Sequence, residues 1–205
     1  MPNPTLLFDH DTFIDRIQAG TNFEGTELYV GDIFTGGAKS QDSRTLLRKT
    51  IPAEIRAATG TTEKDILRLW CTHAAGSGVE VTVYRVNSGG TTAYWDATVT
   101  TWIKRTAAAN WTFEGGDAAA EHVHYNNLTT PLKWLEVDIT TLFTDAIDNR
   151  NRVLDLLVRL TDDPLVNEYN VYDSLEVGTY DVPAAAWARP HIVCVRAPFG
   201  MPMEV

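Results

Sequence analysis

The residues best able to do chemistry in this chain form three groups: aromatic rings near its middle, carboxylates near its start and a pair of histidines. The segment ATVTTWIKRTAAANWTFEGGD, residues 97–117, sets Trp102 and Trp111 nine positions apart, with Tyr94 and Trp95 just before it. Flat apolar sugar rings stack well on aromatic faces, so Tyr94, Trp95 and Trp111 are the candidates for a glycan-binding surface. The competing reading is packing. Trp102 ends an alternating segment, which places it in a core between two sheets, and Trp111 then pins the connection that follows. Trp70 and Trp134 belong to strand-like runs, and Trp187 to a loop rich in Pro and Ala.

The run FDHDTFID offers Asp9, Asp11 and Asp15. Calcium is a hard ion that prefers oxygen, so these carboxylates are the candidates for a structural Ca²⁺; no other cofactor is expected. EF-hand spacing is absent, and solvated surface carboxylates are the alternative. EHVHY puts His122 and His124 on one face of any strand, a spacing that can chelate a transition metal. A third ligand would have to come from Glu121 or His73, and without one the pair reads as solvated polar residues. The sequence carries no G-x-S-x-G elbow, H-E-x-x-H or P-loop. Carboxylate pairs such as Glu24 with Glu27 are commonplace in an acidic chain and do not define a glycosidase dyad. No catalytic residue is expected, and the chain is not expected to be an enzyme.

The bulk numbers narrow the partners. Among 205 residues, 27 acidic against 17 basic side chains give a formal charge of −10. Phosphate backbones need clustered Lys and Arg, so nucleic acid is not an expected partner. The Arg48-Lys49 pair is too short a basic run to hold an anionic membrane. With 44% hydrophobic and 21% charged residues, the chain is long enough to bury a real core as one domain. Cys71 and Cys194 lie in apolar, strand-like runs without a CxxC, and are expected as buried thiols. No stretch of ~18 apolar residues suggests a membrane helix. The opening MPNPTLLFDHDTFIDR lacks the basic region and apolar core of a secretory signal.

The elements that must position these groups have a period of two. VEVTVYRV puts Val79, Val81 and Val83 on one face and Glu80, Thr82 and Tyr84 on the other. WLEVDI sets Leu135, Val137 and Ile139 against Trp134, Glu136 and Asp138. VLDLLVRL turns Leu154, Leu156, Val158 and Leu160 inward, with Asp155 and Arg159 outward, and HIVCVRA alternates in the same way. Such runs are half-buried strands. They are separated by turn signals at Gly36-Gly37, Gly60, Gly89-Gly90, Gly115-Gly116 and Asp163-Pro164, the pattern of an all-β sandwich or barrel. TTLFTDAIDNR predicts one short helix capped by Thr140 or Thr141, and IPAEIRAAT predicts a second of one or two turns.

The order of motifs adds a resemblance. DTFIDRIQAGTNFEGTELYVG, SRTLLRKTIPAEI, VTVYRV with WDATVTTW, NWTFEGGD, LEVDITTLFTDAI, YDSLEV and ARPHIVCV follow one another from Asp9 to Val195. In this order they resemble the DNRLRE domain, the disaggregatase-related modules that overlap carbohydrate-binding module family 96. Lys49 stands where the family usually has Phe, Ala97 where it has Glu and Thr100 where it has Val. The resemblance implies a jelly-roll sandwich serving as a non-catalytic surface or extracellular module.

The expected architecture is therefore all-β: a single jelly-roll β-sandwich of two antiparallel sheets with one or two short helices, over residues 9–196. Residues 1–8 and 197–205 are expected as tails, whose Leu6, Leu7, Phe8, Phe199 and Met201 would contact neighbours. The expected function is that of a phage virion component, a capsid decoration or tail accessory protein. It would be made in the host cytoplasm and leave by lysis, docked on other virion proteins and present in symmetric copies of itself. The alternative is a carbohydrate-binding module that recognises a polysaccharide or a cell-surface glycan.

Overall fold

A computed structural model describes residues 3–24, 27–76, 80–87, 95–126, 132–162, 166–173 and 189–196. Among them the strands are, in chain order, β1 (Thr5–Leu7), β2 (His10–Asp15), β3 (Leu28–Thr35), β4 (Ala38–Thr50), β5 (Lys64–Ala75), β6 (Glu80–Val86), β7 (Lys104–Thr106), β8 (Ala109–Asn110), β9 (Ala118–Asn126), β10 (Lys133–Asp138), β11 (Val153–Leu160), β12 (Glu168–Tyr172) and β13 (His191–Val195). The helix α1 (Thr140–Asn149) lies between β10 and β11. The molecule is an all-β sandwich, as the alternation predicts, and its strand pairings are antiparallel.

Two long strands organise the layers. Along one edge, β5 pairs first with β13 and then with β12, while β10 pairs along its other edge; β1 adds to the far side of β13. In the second layer β4 pairs with β3 and then β2 along one edge and with β11 along the other, and β6 and β9 follow β11. Because β12 also pairs with β3, the two layers are one eleven-stranded sheet folded over on itself, and β7 with β8 forms a separate ribbon. Gly31 makes the corner possible. A Cβ there would lie 2.2 Å from the Glu168 carbonyl oxygen, and its φ of +121° belongs to glycine.

Between the layers lies the main core. Leu67, Leu69, Leu135, Val137, Ile192 and Cys194 from one layer meet Leu47, Val81, Val83, Leu154, Leu156 and Val158 from the other. Burying each such aliphatic side chain contributes about 1.5–3 kcal/mol, so this interface dominates the fold's stability. Leu142, Phe143 and Ala146 bring α1 onto the same core. Neither threonine caps the helix. Ile139 occupies the N-cap, while the Thr140 hydroxyl donates to Asp138 and accepts from the Asp65 amide.

Two expectations need correction. IPAEIRAAT is not helical, because the carbonyls of Ile51, Pro52 and Ile55 accept hydrogen bonds from the Arg152 guanidinium instead of from a helical ladder. The segment expected as an N-terminal tail contains β1, which pairs Thr5, Leu6 and Leu7 with Val193, Ile192 and His191, and Leu6 and Phe8 are buried in the main core. The chain is thus integrated into the sandwich before Asp9.

Candidate functional site

The tryptophan segment does not lie between the layers. Ile14, Leu46, Leu157 and Val86 form an apolar patch on the outer face of the second layer, and Trp95, Ala97, Trp102 and Trp111 pack onto it as a second core. Residues 95–117 therefore cover this sheet from outside, and β11 is buried on both faces: Leu154, Leu156 and Val158 inward, Leu157 outward. Trp95 is 1% exposed, and Trp102 and Trp111 are 5% exposed each. These indole faces lie against protein and offer no stacking surface to a sugar. Tyr94 lies outside the described residues.

Local hydrogen bonds shape this cap. The Trp111 indole N–H donates to the Thr101 carbonyl at 3.0 Å. The Gly115 amide donates to the Trp102 carbonyl at 2.8 Å, and Asp117 accepts from the amides of Thr112 and Phe113. Far along the chain, the Asn22 side-chain amide donates to the carbonyls of both Ala97 and Thr100, each at 2.7 Å. A carboxamide has two N–H donors, which suits it to bridging two carbonyls of one turn. Gly115 is needed where it stands: its φ is +85°, and a Cβ would lie 2.6 Å from the Trp102 ring.

Arginines of β4 fasten the cap to the sheet. Arg44, Leu46 and Arg48 share its outer face. The Arg44 guanidinium sits 4.4 Å from the Trp102 ring centroid and donates to the Gly115 carbonyl at 2.7 Å. Burial, with Arg159 nearby, brings the Arg44 guanidinium down to about 10. Arg48 lies over Trp95, donates to its carbonyl at 2.6 Å and pairs with Asp155 at 2.7 Å. Burial outweighs the attraction of Arg48 and raises the Asp155 carboxyl above its ordinary range. The alternation of SRTLLRK could have revealed two arginines on one face, but not that aromatic rings cover that face. Beside the cap opens a cleft of about 160 Å³ in which Arg16, Arg44 and Arg159 face Asp32, Asp42 and Asp162. Three charges of each sign leave it without a bias toward an anion or a cation.

The three early carboxylates are not gathered around a common point. Asp9 pairs with Lys49 at 2.6 Å and accepts from the Thr50 amide; partial burial opposes its ionisation, but these two partners outweigh it and hold it below the usual carboxylate range. Asp15 is fully buried and accepts from the amides of Ile17, Gln18 and Asp42 and from the Ser43 hydroxyl. Four donors aimed at one carboxylate make it an anchor for the β2 turn. Asp11 is buried at 4% exposure. Among the described residues, no group of three or more His, Cys, Asp or Glu side chains is arranged to hold a metal.

His122 and His124 do converge. They stand on the exposed face of β9 with their Nε2 atoms 3.0 Å apart. Neither Glu121 nor His73 joins them: Glu121 pairs with Arg85, and His73 lies on β5. Glu80, across the strand pair, reaches the Nδ1 of His124 at 3.1 Å instead. Cys71 and Cys194 are free and buried, and burial pushes their thiols up to about 11 and about 12.

Of the residues expected at an interface, Leu6 and Phe8 face the core, while Leu7 is 43% exposed on β1, which among the described residues is an end strand of the sheet order. Phe199 and Met201 lie outside the described residues. No family model matches the chain, and no curated protein is significantly similar to it.

Proposed function

We propose that this protein is a non-catalytic structural module that works by docking in an assembly, as a capsid decoration or tail accessory protein of a phage virion. The observation that carries the reading is the edge strand β1. Leu6 and Phe8 anchor it in the core, and Leu7 is exposed on this strand, which ends the hydrogen-bonding order among the described residues. An end strand offers unpaired amides and carbonyls to a partner strand, and an exposed leucine adds an apolar contact. Symmetric copies of the chain, or another virion protein, would dock there. The order of motifs that resembles DNRLRE modules supports the same non-catalytic reading. The glycan-binding alternative ranks second, because Trp95 and Trp111 pack against the sheet and leave no ring face for a sugar.

The experiment is a comparison of particle occupancy between the natural chain and Leu7→Lys. Leu7 is exposed, so the variant is expected to fold with unchanged stability yet to dock poorly, as charges on an edge discourage strand pairing. Equal occupancy of both chains on purified particles would count against β1 as the docking edge.

A further inference from the structure

The histidine pair on β9 carries an inference independent of the docking proposal. The Nδ1 of His122 lies 2.6 Å from the Ala120 carbonyl oxygen, and the Nδ1 of His124 lies 3.1 Å from a Glu80 carboxylate oxygen and 2.9 Å from the Thr82 hydroxyl. Carbonyls and carboxylates only accept hydrogen bonds, so the His122 Nδ1–H donates to the Ala120 carbonyl, and the same tautomer of His124 turns its Nδ1–H toward Glu80. In the neutral rings both Nε2 atoms then present bare lone pairs. These two atoms lie 3.0 Å apart on an exposed face, a separation that either a shared proton or a metal ion can bridge.

We infer that His122 and His124 form a bidentate bis-imidazole site for a divalent transition metal, with copper(II) the ion it fits best. Imidazole nitrogens bind such metals at about 2.0–2.1 Å, so a separation of 3.0 Å corresponds to a nitrogen–metal–nitrogen angle of about 95°. That is the cis angle of a square-planar or tetragonal site, the geometry of copper(II) and nickel(II). A tetrahedral zinc site would set the nitrogens about 3.3 Å apart. Copper(II) also stands at the top of the affinity order for nitrogen ligands. Ala120 and Glu80 play the outer partners that orient metal-bound imidazoles through Nδ1–H. On binding, two Nε2–metal bonds replace two water–metal bonds, and any proton held between the rings passes to water. Water completes the coordination, and the exposure of both rings leaves room for it.

The test is titration of the full chain with copper(II), followed by calorimetry and electron paramagnetic resonance. The expected result is one tightly bound ion per chain with a signal split by two nitrogens. His122→Gln and His124→Gln should each weaken binding more than about tenfold, and His73→Gln should not. Thermal unfolding of the metal-free variants should match that of the natural chain, since both rings are exposed, so a loss of binding cannot be assigned to misfolding. Binding that persists in the His122→Gln, His124→Gln double variant would overturn the inference by placing the ion elsewhere. Failure of the natural chain to bind copper(II) at micromolar concentration would overturn it too, leaving a pair that shares only a proton.

Discussion

Arg44 and Trp102 hold the aromatic segment to the sheet: the guanidinium lies 4.4 Å from the indole centroid, and the same group donates to the Gly115 carbonyl beside that ring. Strand, indole and glycine turn are thus one unit. The segment richest in aromatic residues is a lid over a second core.

Gly115→Ala tests this unit. The added methyl would fall 2.6 Å from both the Trp102 ring and Arg44, at a backbone angle that L-residues avoid. The expected loss of stability is about 2–4 kcal/mol, combining left-handed strain with displacement of the lid. Urea unfolding followed by tryptophan fluorescence measures it, and a loss below about 0.5 kcal/mol, the range of ordinary surface changes, would contradict the packing described.

The buried pair of Arg48 with Asp155 gives an asymmetric prediction. Asp155→Leu leaves the Arg48 guanidinium without its carboxylate, and Arg48→Met leaves the carboxylate without its cation; each should cost about 3–5 kcal/mol. The double variant should recover much of that loss, because no unpaired charge remains buried. Single and double variants compared in one unfolding series form the cycle; losses that simply add would argue against a coupled pair.

Asp173 predicts a pH dependence. Burial, then repulsion from Glu27, pushes its carboxyl up to about 6 from an ordinary value near 3.8. The native state therefore binds the proton more tightly than the unfolded chain. The stability it contributes is fully present below about pH 4 and is lost as pH rises through about 6. Asp173→Asn should flatten this part of the stability curve, and it should be more stable than the natural chain at pH 7. An unchanged slope between pH 4 and 6 would refute the assignment.

The thiols predict chemical silence. Cys71 and Cys194 are buried, with both thiols pushed well above neutrality, so the thiolate that reacts is scarce. The folded chain should resist a thiol reagent at pH 8, and two thiols should titrate in denaturant. Rapid labelling of either cysteine in the native state would show that its segment opens.

Calcium gives a further contrast. Asp15 already accepts four hydrogen bonds, and Asp9 is paired with Lys49. Neither added calcium nor a chelator should move the melting temperature, whereas Asp15→Ala should cost about 2–4 kcal/mol by orphaning buried donors. A calcium-dependent rise in melting temperature would reverse this conclusion.

Alternation alone revealed the strands whose outer face meets water, as in β10, where Leu135 and Val137 are buried and Glu136 and Asp138 are exposed. It failed for β11, because Leu157 and Asp155 are covered by a segment some fifty residues earlier, and a local period cannot register a distant lid. Burial was legible for Trp102 but not the face it covers, and Trp95 and Trp111, which read as candidates for a glycan surface, are buried in the same cluster. The histidine pair was visible as a spacing. Its partner was not, because Glu80 reaches His124 across a strand pairing that only the fold creates. Leu6 and Phe8 read as loose apolar ends, since nothing local shows that residues 5–7 pair with β13, which begins at His191.

The most direct measurement for the central claim is a quantitative mass-spectrometric inventory of purified phage particles from the host that produces this chain. A structural virion component is expected there in a fixed number of copies per particle that matches a symmetry of the capsid or tail. Recovery of the chain only in the soluble lysate, with none above background in the particles, would contradict the proposal.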